Sequence, residues 1–143
     1  MFRRILVPVD GTSGSEKAIP YAIGLATSLD AEVLVCHAIT TPMAANAAAE
    51  RQQAGQYVSA IALRFREAGV PAKTQVRRGE PALEILKTAL DWDVDAIVMA
   101  TRSRRRFEKL MLGSVADAVV RDSHLPVLLV SRRFAKQKTR RAA

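Results

Sequence analysis

Residues 94–114 read VDAIVMATRSRRRFEKLMLGS. The stretch opens with an apolar run, Val94 to Met99, bounded and short like a buried strand. It closes with Gly113-Ser114, where a segment that reads as a helix, Gly113 to Arg121, begins. Strand, loop and helix in this order make part of a parallel β/α unit. In such folds the loop beyond a strand's carboxyl end, leading into a helix N-terminus, is where anions bind. Loops of this kind are usually rich in glycine. This one carries Arg102, Arg104, Arg105 and Arg106, and a single glycine at its far end.

The same alternation runs outward along the chain. Residues 3–9 (RRILVPV) read as a first strand and Asp10 to Ser15 as a turn, with Ser13 and Glu16 spaced as a capping box. Apolar residues then recur with helical period to Leu29, with Pro20 early enough to bend that helix slightly. Glu32 to Ile39 is a second buried strand. The alanine-rich connection at residues 43–49 reads as a mobile segment able to cover a site. A long helix follows, Ala49 to Ala68, closed by Gly69. Ala72 to Arg78 alternates with polar residues and reads as an edge strand. Gly79-Glu80-Pro81 opens a helix with Ile85, Leu86, Ala89 and Leu90 on its buried face, and Trp92 packs at its end. Val127 to Val130, after Pro126, is the fifth strand. Strands alternating with helices predict an α/β fold. It is an open five-stranded parallel sheet of order 3-2-1-4-5, helices on both faces, Rossmann-like. The expected organisation is one domain over residues 1–131 and a basic, disordered tail over 132–143.

Composition fits this. The 143 residues suit a single domain. No apolar run reaches the ~20 residues of a membrane span. The apolar stretch near the N-terminus, Ile5 to Val9, falls short of the ~7–15 residues of a signal peptide core. The single cysteine, Cys36, excludes an intrachain disulfide and suits a reducing cytoplasm. Of the net charge of +8, six units come from Arg132, Arg133, Lys136, Lys138, Arg140 and Arg141. A basic tail of this kind is a solvated segment or a salt-sensitive contact for nucleic acid.

Ligands of an open parallel sheet bind beyond the carboxyl ends of the strands, where the order reverses. Strands 1 and 4 flank that crevice. The first delivers Asp10, which either contacts a ligand or caps the following turn. The second delivers the loop 102–112. Gly113-Ser114 either forms a plain helix cap or offers backbone N–H groups and a hydroxyl to an anion. The four arginines are either a solvated surface or a phosphate clamp. Cys36 and His37 point to opposite faces of one strand, so with His124 they do not make a metal site. No metal ligands are expected from protein side chains alone.

At this point the residues resemble the universal stress protein family, within the adenine-nucleotide alpha-hydrolase-like superfamily. The carriers are ILVPVDGTSGSEKA, GEPALEIL, DVDAIVMATR and LMLGSVADAVVRDSHLPVLLV, from about Arg3 to Ser131. The resemblance implies a small regulatory protein of the stress response, not an enzyme beyond slow, incidental ATP hydrolysis. It implies an adenine nucleotide (ATP, ADP or AMP) with Mg²⁺ at the phosphates. It also implies a homodimer through the last strand, Val127, Leu128, Leu129 and Val130, alongside protein partners that the sequence does not identify. Nucleotide-binding members carry G-x-x-G-x9-G-[ST]. That frame maps onto Ala100, Ser103, Gly113 and Ser114, so the spacing and the last two residues are kept. The adenine contact maps near Ala38. The nucleotide-binding residues expected are Pro8, Val9, Asp10, Gly11, Ala38, Ala100, Thr101, Arg102, Ser103, Arg104, Gly113, Ser114 and Val115. If the first two motif positions need positive φ, Ala100 and Ser103 each carry a backbone penalty of roughly 1–2 kcal/mol. These two substitutions support an alternative, a stress-response interaction module that binds no nucleotide.

Overall fold

The computed structural model describes residues 1–42, 45–101, 104–106, 109–111 and 113–131. In chain order the elements are β1 (Arg4–Pro8), α1 (Ile19–Leu29), β2 (Glu32–Ile39), α2 (Ala47–Glu67), β3 (Ala72–Arg78), α3 (Pro81–Asp91), β4 (Ala96–Thr101), β5 (Arg104–Arg106), β6 (Lys109–Met111), α4 (Ser114–Asp122) and β7 (Val127–Ser131). The main sheet is parallel throughout, in the order β3-β2-β1-β4-β7. This is the expected 3-2-1-4-5 order. Between its fourth and fifth strands the chain adds an antiparallel ribbon, β5 with β6, where the sequence suggested only a loop. The tail 132–143 lies outside the described residues, as do Arg102 and Ser103.

The central strands are apolar on both sides because both faces are covered. Ile5, Val7, Val33 and Val35 face α1 and α2. Leu6, Leu34, Ile97 and Met99 face α3 and α4. Helix α2 presents Ala54, Val58, Ile61, Ala62 and Phe65 to the first of these cores, at helical spacing. It ends at Gly69, whose φ of 83° is one that side-chain-bearing residues avoid. No helix among the described residues is long and apolar enough to cross a membrane.

Three local readings change. The capping box does not form: a short 3-10 turn, Ser15–Ala18, starts at Gly14 without a side-chain cap. Glu16 is drawn away, accepting from the Tyr57 hydroxyl at 3.0 Å and from Arg64 at 3.2 Å. Pro20 therefore falls in the first turn of α1, where its missing N–H costs nothing, and it does not bend a helix interior. The second half of the alanine-rich connection is the start of α2, from Ala47.

The sheet also opens the crevice. Strands β1 and β4 are in register at Ile5–Ala96 and Leu6–Ile97. Beyond that, β1 runs to Pro8, which has no N–H to extend a ladder, and Val9 donates instead to Cys36 of β2 at 2.9 Å. The carboxyl ends of β1 and β4 are left apart.

Candidate functional site

A cavity of about 790 Å³ occupies that gap. Its walls come from the ends of β1, β2 and β4, the start of α4 and one face of α2. Nine of the expected residues line it: Pro8, Val9, Asp10, Gly11, Ala38, Ala100, Gly113, Ser114 and Val115. Thr101 does not. Strand alternation turns it away from Ala100, and its hydroxyl is buried without a hydrogen-bond partner among the described residues. Arg102 and Ser103 are outside the described residues. For Arg104 the backbone is placed, in β5.

Asp10 does cap its turn. Its Oδ1 accepts from the Thr12 N–H at 2.8 Å and the Thr12 hydroxyl at 2.5 Å. Ser15 closes the turn, accepting from the Asp10 N–H at 3.1 Å and donating to the Thr12 carbonyl at 2.9 Å. The network fixes the carboxylate at the crevice wall, so capping and a site role are compatible.

At the other wall, Gly113 has φ 83° and ψ 153°. Only glycine reaches this conformation readily. It starts α4 at the cavity, which Gly113, Ser114, Val115 and Ala116 line. Gly113 holds the N-cap position, so α4 begins without a side-chain cap. Ala100 departs from the expected penalty. It lies in regular strand, paired with Val130, and its φ is not positive. Glycine's freedom is not needed there, so the methyl group adds bulk to the cavity wall without backbone strain.

The sequence reading missed the α2 side. Glu50, Gln53, Ala54 and Tyr57 recur at helical spacing along the cavity. Thr41 donates to Glu50, and Arg78 donates to the Thr41 carbonyl at 2.6 Å while its guanidinium stands 3.7 Å from Glu50. This cluster ties the end of β2 to the first turn of α2. Deeper in, His37 Nδ1 donates to the Val9 carbonyl at 2.8 Å, since a carbonyl only accepts. The His37 ring meets Tyr57 edge-on, with centroids 5.6 Å apart. Burial, reinforced by Glu16, pushes the Tyr57 hydroxyl up to about 12, so it remains a donor at neutral pH. Cys36 lines the floor from the opposite face of β2. Burial pushes its thiol up to about 12 against the opposing pull of Arg77. Among the described residues no group of three or more His, Cys, Asp or Glu side chains could hold a metal ion.

A family model described as the universal stress protein family matches residues 1–131. Universal stress protein MJ0531 of Methanocaldococcus jannaschii is 30% identical over 142 residues, covering 92% of this chain and 84% of its own. Among solved structures, MJ0577 of the same organism is 27% identical, with a TM-score of 0.75 over 92% of this chain and 97% of that one. A universal stress protein from Archaeoglobus fulgidus in complex with dAMP shares the fold, with a TM-score of 0.68, 22% identity, and coverage of 90% and 98%.

Proposed function

This chain belongs to the universal stress protein family, and from that we propose that its crevice binds an adenine nucleotide (ATP, ADP or AMP) and that it acts as a regulatory homodimer, not as a catalyst. One observation carries the reading. The crevice joins a helix N-terminus at Gly113-Ser114, a fixed carboxylate at Asp10 and the backbone at the end of β2 within one cavity. The free N–H groups and dipole of α4 favour phosphate. Mg²⁺ arrives with the phosphates, with Asp10 as the nearest acid on the wall. A solved structure of the same fold, the dAMP complex, holds a ligand of the same class.

Ala100 weighs less against this reading than the motif suggested, because it sits in unstrained strand, while Ser103 lies outside the described residues. Titration calorimetry with ATP and Mg²⁺ should give measurable heat, and millimolar ATP should raise the melting temperature. Neither effect at millimolar ATP would end the nucleotide reading and leave the interaction module. Arg102→Ala should lower affinity about tenfold, as loss of a charge-assisted contact does, and Ser103→Gly should raise it.

The dimer reading rests on the two sheet edges. Strand β3 carries Lys73, Arg77 and Arg78, charges that discourage edge pairing. Strand β7 offers Val127, Leu128 and Leu129, with Leu128 45% exposed, while the Val130 side chain is committed to the core. Pairing β7 with a second copy covers that edge. Leu128→Arg should shift the sedimentation-equilibrium mass from a dimer to the 15.6 kDa monomer; an unchanged dimer would place the interface elsewhere.

A further inference from the structure

The polar groups on the α2 wall are unequally spent. Glu50 is engaged by Thr41 and Arg78. Tyr57 is engaged by Glu16. Gln53, between them on the same helical stripe, lines the cavity and is exposed, yet among the described residues its side chain makes no hydrogen bond or ion pair. Its carboxamide offers an acceptor and two donors.

Its position along the crevice decides what it meets. Phosphate is favoured at the α4 N-terminus, beside the end of β4. Moving across the sheet from β4 to β1 to β2 covers two strand spacings, roughly 10 Å. That step carries a nucleotide from its phosphates past Asp10 to its base. The base then rests where β2 ends and α2 begins, against His37, Ala38 and the α2 stripe.

We infer that Gln53 is the side chain that reads the base, its carbonyl accepting a hydrogen bond from the exocyclic amino group of adenine. The inference rests on the nucleotide reading above and adds a specificity residue to it. A glutamine carboxamide presents an acceptor beside a donor, which matches the adjacent amino group and ring nitrogen of adenine. Glu50 and Tyr57 act behind it as positioning residues, holding the stripe against β2 and the 3-10 turn.

The test pairs a change in the protein with a change in the ligand. ATP and purine riboside triphosphate, which lacks only the 6-amino group, are titrated in the presence of Mg²⁺ into the full chain and into Gln53→Ala and Gln53→Glu. The wild type should prefer ATP by about fivefold, the worth of one hydrogen bond. Gln53→Ala should lose that preference by weakening ATP more than the amino-free ligand, which keeps only the ring-nitrogen contact. Gln53→Glu, which still accepts, should keep it. Alanine at an exposed helical position favours folding, and unchanged melting temperatures of the ligand-free proteins confirm that the variants are intact. A wild type that binds ATP without preferring it to the amino-free ligand overturns the role of Gln53 and spares the nucleotide reading, and so does a preference that survives in Gln53→Ala. A wild type that binds neither ligand overturns both.

Discussion

Phe65→Ala should destabilise the fold by about 3–5 kcal/mol, as removal of a fully buried phenylalanine does. Phe65 is among the largest side chains with no solvent exposure. It sits in the core with Val58, Ile61 and Ala62 of its own helix and with Val33, Val35 and Val70. Its carbonyl accepts from the N–H groups of Ala68 and Val70 at 3.0 and 2.9 Å. The ring therefore stands where α2 turns back toward β3, and the backbone around it cannot collapse freely into the space left. The loss is a large share of the roughly 5–15 kcal/mol that stabilises a domain. Urea unfolding should show a lowered midpoint with an unchanged slope. Leu63→Ala, two residues away on the 51% exposed side, should change stability by about 0.5 kcal/mol or less. Similar losses for the two variants would mean that α2 does not face the sheet as described.

The second large effect lies in alkali. In the folded chain the Cys36 thiol is held up to about 12, against 9.0 when unperturbed, and burial is the main cause. The folded state therefore keeps a proton that the unfolded chain begins to release near pH 9. The stability this contributes is intact below pH 9 and is lost as pH rises toward 12. Three units correspond to about 4 kcal/mol at the top of that range. Tyr57, raised to about 12 from 10.0, acts in the same direction from pH 10 upward. Comparing wild type with Cys36→Ala separates the two, because Tyr57 is present in both. The variant should be less stable at pH 8, where it lacks the packed sulfur, and the gap should close and then reverse as pH rises. A gap that stays constant from pH 8 to 11 would show that the thiol titrates alike in both states.

Much of the fold was legible because the sheet is buried on both faces. A strand such as Ile5–Val9 or Val33–Cys36 then has to be apolar at successive positions, and alternation with helices leaves few parallel topologies. The α4 side of the cavity was legible for the same reason: Asp10 and Gly113 stand at strand and helix ends that topology alone brings together. Three features were not. Glu16 has the spacing of a cap, but a tertiary partner, Tyr57, lies 41 residues away and outcompetes the local bond. The demand for glycine at residue 100 was inferred from a motif, whereas the local φ depends on where β4 ends. The α2 wall escaped because its facing depends on how that helix crosses the sheet. The spacing of Glu50, Gln53 and Tyr57 was visible, but no local rule distinguishes a stripe along a cavity from one facing solvent.

The short register between β1 and β4 has a consequence for the chain as a whole. Those two strands are the seam between its first half, β1 through β3, and its second, β4 through β7. The crevice is walled by Asp10 and Ala38 on one side of that seam and by Ala100 and Gly113 on the other. A nucleotide bound as proposed would rivet the seam, and its occupancy would be read as the resistance of the two halves to separation.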